Sequence, residues 1–325
     1  MREFISPQEC QTSYNPLLMA LLWNALATRD VRLLADSLRD RLRLDPRCAW
    51  VNYVRSHDDI GWTFDDADAA RLGTDPRAHR RFLNAFYTGR FPGSFARGLP
   101  FQENPRTGDA RICGTTASLA GLERALHDGD TDGAAGGMAG GGAMERDLAI
   151  RRILLLYGVA LTIGGIPLLY LGDELGQLND YTYARDPAHA DDSRWVHRPA
   201  MAWSRAAERG DPTTVAGHVF GPFARLIALR QGHAVFAGSL TEIVDTGNDH
   251  VFGFVRRNGA GRALLLANVT ERPQRIAANV LRLHGLARTF ADPLTGDTID
   301  IAEGELELAP YRLACLLPRQ TGGDI

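Results

Sequence analysis

Lysine is missing altogether from this chain of 325 residues, so all 36 basic side chains are arginine. Arginine suits planar contacts that use several donors, but a complete absence of lysine reads as coding bias rather than chemistry. Cysteine is scarce: Cys10, Cys48, Cys113 and Cys315 are scattered, with no C-x-x-C spacing. That argues against a zinc site or a redox pair and leaves small buried fillers, as expected in a reducing compartment. Neither sign of charge dominates. A net charge of −3 gives no footprint for nucleic acid or an acidic membrane surface. Long apolar runs are absent too. The most apolar stretch, Ile150 to Leu171, contains Arg151, Arg152, Gly164, Gly165 and Pro167, which divides it into a helix and a buried strand instead of a bilayer span. The opening MREFISPQECQTSYN has no long apolar core, so no signal segment is read there and a cytoplasmic protein is expected.

What the chain does hold is a charged knot at Ala49 to Asp66, AWVNYVRSHDDIGWTFDD. Val51, Tyr53 and Arg55 alternate with Asn52 and Val54 in a run rich in β-branched and aromatic residues, the pattern of a short buried strand. It ends abruptly in Ser56-His57-Asp58-Asp59. A strand that delivers an imidazole and two carboxylates to one end of a sheet is costly unless those groups find partners. The carboxyl ends of parallel strands are where α/β proteins bind ligands. A solvated turn capped by Asp58 would read the same way. Tyr53, Trp62 and Phe64 bracket the charges, however, and rings beside fixed hydrogen-bond acceptors suit a sugar.

Around this knot the rhythm is βα. A brief strand at Glu9 to Tyr14 precedes a helix that opens at Asn15-Pro16, and Val31 to Leu44 forms a second. After Asp65 come short helical pieces and a long Gly-, Arg- and Phe-rich loop, Thr88 to Thr116, whose length marks a functional segment. Gly129 to Ala143 is low-complexity linker; a phosphate loop is disfavoured because no strand precedes it and no Gly-Lys-Ser/Thr follows. A helix over Asp147 to Ile163 leads to the strand ending in Gly172-Asp173-Glu174, where the acids are read as helix caps or strand-end packing. Thr213 to Gln231 is helical. Beyond Gly232 the period switches to 2, with strands at Val251 to Arg256, Ala263 to Asn268 and Leu306 to Leu317. The expected organisation is a partial barrel (1–64), an insertion capping the site (65–128), a glycine-rich linker (129–146), the end of the barrel (147–233) and an antiparallel β domain (234–325).

Four stretches in order, YVRSHDDIGWTF, GSFARGLPFQENPRTGDARICGT, GGIPLLYLGDELG and DDSRWVHRP, resemble the amylosucrases and sucrose hydrolases of glycoside hydrolase family 13, the alpha-amylase superfamily. The resemblance runs from about Glu9 to Leu317. It implies an α/β fold, the carboxyl-terminal part of a (β/α)8 barrel with about its last three βα units, followed by a small antiparallel β-sandwich. It implies retaining cleavage of sucrose, with glucosyl transfer to an α-glucan or to water, and no cofactor or catalytic metal. By match of motif, His57 would hydrogen-bond the glucosyl ring hydroxyls. Asp58 would be the carboxylate that stabilises the oxocarbenium-like transition state. Asp59 and Arg111 would hold the leaving fructosyl unit, and Arg194 would line the floor of the glucosyl pocket, unless it simply pairs with Asp191 or Asp192. Charge held near the anomeric centre in a water-poor pocket is what such a transition state needs.

The departure from the family is as informative. The Arg-x-Asp nucleophile strand and the Glu strand that follows it have no counterpart in these residues, and a retaining glycosidase needs both carboxyls. Three strands do not close an eight-stranded barrel. The expectation is therefore a chain inactive alone, whose partners are sucrose, α-glucan acceptors and the missing amino-terminal half of the enzyme. The alternatives are a non-catalytic carbohydrate-binding remnant and a truncated pseudo-enzyme.

Overall fold

The computed structural model describes residues 5–131, 141–238, 240–301 and 304–319. Strand β1 (Thr12–Tyr14) leads into helix α1 (Pro16–Thr28), and α2 (Arg32–Arg41) returns the chain to strand β2 (Ala49–Tyr53). The Asn15 side chain caps α1 by accepting from the Leu18 amide, and Pro16 sits where its missing N–H costs nothing. Every residue of α1 from Leu18 to Ala27 is buried, as befits a helix apolar on all sides. Its Trp23 indole N–H donates to the Val54 carbonyl at 2.9 Å, which fastens α1 to the end of β2.

Helices α3 (Asp66–Arg71) and α4 (Pro76–Tyr87) follow. The stretch expected as a loop, Thr88 to Thr116, instead contains a hairpin of β3 (Leu99–Phe101) and β4 (Arg111–Cys113). Strands of three residues are too short for alternation to reveal them; here the buried Ile112 and Cys113 anchor the pair. After α5 (Thr116–Leu119), helices α6 (Leu122–Thr131) and α7 (Gly141–Thr162) enter the glycine-rich segment from either side, and its middle, 132–140, lies outside the described residues.

Strand β5 (Ile166–Leu168) completes a parallel three-stranded sheet in the order β1-β2-β5. Gly165 permits it: its φ is +67°, and a Cβ there would lie 2.3 Å from the Trp50 carbonyl of the neighbouring strand. The reading of Ile166 to Leu171 as a buried strand is corrected. Ile166 is 48% exposed and Leu171 65%, because among the described residues no strand covers the outer edge of β5. The outer edge of β1 is equally open, and Tyr14 is 57% exposed.

Short helix α8 (Trp203–Ala207) and helix α9 (Val215–Gly232) end this part of the chain, with Val219, Phe223, Leu226 and Leu229 of α9 buried. The remainder is antiparallel: β6 (Thr241–Val244), β7 (Val251–Asn258), β8 (Gly261–Asn268), β9 (Gln274–Ala277), α10 (Ala278–Gly285), β10 (Thr289–Asp292), β11 (Asp297–Asp300), β12 (Glu305–Leu308) and β13 (Leu313–Pro318). Six strands form one sheet in the order β11-β10-β13-β8-β7-β6, while β12 and β9 pair separately. The single strand expected over Leu306 to Leu317 is broken at Tyr311, whose φ of 51° turns the chain between β12 and β13. One face of the large sheet, through Phe252, Phe254 and Leu265, joins the core around α1 and α7; the other, through Val255, Leu264 and Leu266, packs under α10. Cys48, Cys113 and Cys315 are buried, but Cys10 is exposed, which corrects its reading as a filler. Among the described residues no helix is long and apolar enough to cross a membrane.

Candidate active site

Parallel pairing of β2 between β1 and β5 brings the residues after Tyr14, Tyr53 and Leu168 to one end of the sheet. Beneath them lies a buried ion pair. Arg55 reaches Asp173 through Nε and Nη2 at 2.9 and 2.8 Å, and Asp173 also accepts from the Thr116 hydroxyl at 2.6 Å and from the Tyr157 hydroxyl. Both side chains are almost wholly excluded from solvent. Four donors on one carboxylate offset the cost of burying two charges. The reading of Asp173 as a helix cap is therefore corrected: it is the acceptor at the centre of a buried network. An arginine inside the buried run AWVNYVR was the signal for such a partner, since a buried guanidinium requires one.

Above this pair the tetrad turns outward. The Ser56 hydroxyl accepts from the Asp58 amide at 3.1 Å. His57 Nε2 lies 3.6 Å from Asp58 Oδ2, and Arg194 Nη1 lies 3.4 Å from Asp58 Oδ1, with Arg198 Nη2 at 3.8 Å. These separations are long for hydrogen bonds, so the Asp58 oxygens keep acceptor capacity for a ligand. The side chains of His57 and Asp58 are 67% and 55% exposed, so the pocket is open to solvent here. The cause is geometric: the described strands furnish a floor and one wall only.

Register explains Asp59 and Arg111. Ile60 and Ile112 exchange backbone hydrogen bonds of 2.8 and 3.0 Å in an isolated antiparallel bridge, which leaves Asp59 and Arg111 as diagonal neighbours on one face, within reach of a long side chain. Arg111 Nε sits 3.6 Å from Asp59 Oδ2. Burial pushes the Asp59 carboxyl above its ordinary value, opposed by the Arg111 guanidinium.

The DDSRWVHRP stretch closes the other side. The Asp192 carboxylate accepts from the Arg194 amide and grips its guanidinium at 2.9 and 2.8 Å. Arg194 holds that carboxyl below its usual range, and its guanidinium lies 4.7 Å from the centre of the Phe101 ring. Arg194 thus pairs with Asp192 and also faces Asp58. Arg198 Nε donates to the His57 carbonyl at 2.8 Å. Tyr53, buried beside Asp58 and Tyr14, has its hydroxyl pushed up to about 12, chiefly by burial. His57, Asp58, Asp59, Arg111 and Arg194, scattered over the sequence, form one continuous cluster. Among the described residues no three His, Cys, Asp or Glu side chains converge as metal ligands.

Comparisons with known proteins bear on the fold. A family model described as the D-apionate lactonase, C-terminal immunoglobulin-like domain, matches residues 248–316, within the antiparallel β domain. Glucosylglycerate phosphorylase of Escherichia coli (strain K12) is 28% identical over 164 residues, which is 50% of this chain and 27% of that protein. Two solved structures align over 98% of the chain: AmyP in complex with maltose, with a TM-score of 0.55 at 11% identity, and Ttha1563 from Thermus thermophilus, with 0.53 at 14%. The chain covers 52% and 50% of their lengths. The chain therefore shares its fold with these two structures, a partial α/β barrel followed by an antiparallel β domain.

Proposed function

We propose that this chain supplies the glucosyl-binding floor and the leaving-group arm of a retaining, sucrose-cleaving α-glucosyl enzyme of the amylosucrase or sucrose hydrolase type. The observation that carries the reading is the Asp58 carboxylate, exposed, loosely faced by His57, Arg194 and Arg198, and adjoined by the Asp59–Arg111 pair. A neutral sugar fits that charge pattern. Asp58, Asp59 and Asp192 are matched by Arg111, Arg194 and Arg198, so each cation already faces an acid. Sugar hydroxyls can bond to both signs without displacing either. As positive charge builds at the anomeric carbon, Asp58 is worth more in the transition state than in the ground state. His57 and Arg194 would orient the ring hydroxyls, and Asp59 with Arg111 would hold the fructosyl unit. A retaining enzyme also needs a nucleophile and an acid/base, two carboxyls about 5 Å apart; this reading gives neither role to a residue of the cluster.

A second reading follows from the 28% identity to a glucosylglycerate phosphorylase: a glycerate unit would occupy the arm at Arg111. An anionic leaving group there must compete with Asp59 for the guanidinium. Titration calorimetry with sucrose, D-fructose and D-glycerate separates the two. Heat with sucrose and fructose, abolished by Asp58→Asn, supports the first reading. Binding of glycerate without fructose would overturn it.

A further inference from the structure

The five candidate residues lie on three separate segments, 56–59, 111–114 and 192–198, and one buried side chain touches all three. His197 Nδ1 takes the Gly114 amide at 3.0 Å, and His197 Nε2 lies 3.0 Å from the His57 carbonyl. Both partners have fixed roles. An amide N–H only donates and a carbonyl only accepts, so Nδ1 is the bare nitrogen and Nε2 carries the proton. Arg55, held by Asp173, donates through Nη1 to the carbonyl of His197 itself at 3.0 Å. The imidazole is thereby set between the buried ion pair below and the exposed tetrad above.

We propose that His197 is a positioning residue: it holds the His57–Asp58 segment, the strand end that carries Arg111 and the loop that carries Arg194 in one register. The inference rests on the function proposed above and extends it to a group that touches no ligand. The ring is 1% exposed, so it acts only through its neighbours. Its neutral form is the one this geometry uses. The charged groups around it are Arg55 just beyond β2, Arg198 on its own loop and Asp173 from the turn after β5; burial, with the two guanidiniums, presses its pKa down to about 4. A protonated Nδ1 would point a hydrogen at the Gly114 N–H and break the link.

The test compares His197→Gln, His197→Asn and His197→Phe in the full chain. The longer Gln amide can reach the His57 carbonyl, the shorter Asn carbonyl can serve only the Gly114 amide, and Phe does neither. Sucrose affinity of the folded protein is expected to fall at least tenfold in the Phe and Asn variants and to recover in the Gln variant. Equal affinity in all three, with only thermal stability lowered, would show a packing role and overturn the proposal. A wild-type chain that binds no sucrose would defeat the functional reading alone. His197 is then judged by long-range ¹H–¹⁵N spectra and amide exchange. A single Nε2–H tautomer, with Gly114 exchange at least tenfold faster in the Phe variant and β8 unchanged, supports it; a mixed tautomer or unchanged Gly114 exchange refutes it.

Discussion

Replacing Asp173 by alanine is the sharpest perturbation this structure offers, because it isolates the ion pair on which the site stands. The substitution strands the Arg55 guanidinium, 2% exposed, with the His197 carbonyl and the face of the Tyr170 ring but no countercharge. It also removes the acceptor for the Thr116 and Tyr157 hydroxyls. Breaking a buried pair by deleting one partner costs about 3–5 kcal/mol, and each orphaned hydroxyl adds about 1 kcal/mol before any relaxation. A loss of roughly 6 kcal/mol is expected, a large part of the about 5–15 kcal/mol that keeps a domain folded. With a urea slope of about 2 kcal/mol per molar, the midpoint should fall by about 3 M at an unchanged slope. Tryptophan fluorescence reads the transition through Trp23, which is buried beside β2. The double variant Arg55→Met, Asp173→Leu removes both charges together and should recover most of the loss, leaving about 1–2 kcal/mol for the hydroxyls. A single variant within about 1 kcal/mol of wild type, or a double variant as unstable as the single, would refute this account of the network.

Two further outcomes are expected. His197 is pressed from its usual 6.5 to about 4 by burial and by Arg55, so between those values the unfolded chain binds the extra proton. Its contribution is therefore complete above about pH 6.5 and lost as pH falls toward 4, a loss of the order of 3 kcal/mol; a stability–pH slope unchanged in His197→Phe would contradict it. For the thiols, Cys10 alone is exposed, and burial pushes Cys113 up to about 12. An aromatic disulfide reagent at pH 8 should titrate one thiol quickly in the native chain and four after denaturation, whereas rapid reaction of a second would show that the core around Cys48, Cys113 or Cys315 opens.

The parallel strands were legible because each ends a recognisable phrase: an apolar run, then a cluster of acids and glycine. α1 and α7 were legible for the same reason, being long enough for a pattern to accumulate. The hairpin of β3 and β4 and the short strands β6, β9, β10 and β11 were not, since three or four residues carry too little alternation to stand out. Tertiary pairing, not local preference, decides such segments. The clustering of His57, Asp58, Asp59, Arg111 and Arg194 was foreshadowed only by family motifs. No spacing rule links 59 to 111; that contact depends on the Ile60–Ile112 bridge. Asp173 was misjudged because its partner Arg55 lies far away in sequence and buried electrostatics leave no local trace. His197 left no signal at all, since both of its bonds go to backbone groups.

The exposure of the tetrad and the exposure of the sheet edges have one physical origin. Tyr14 and Ile166 stand on the outer strands β1 and β5, and both remain open to solvent although both pair with Val51 of the central strand β2. A parallel sheet is ordinarily covered on both faces, and eight strands, not three, close a barrel of this type. Small-molecule sites bury about 70–90% of their ligand, a degree of enclosure that a floor with His57 two-thirds exposed does not reach. Under the proposed function, the strands that pair with β1 and β5 are also those that roof the sugar. Closing the sheet and drying the site are then a single event. Affinity for sucrose should accordingly rise together with protection of Tyr14 and Ile166 when such strands are present, and a rise in one without the other would separate fold completion from site completion.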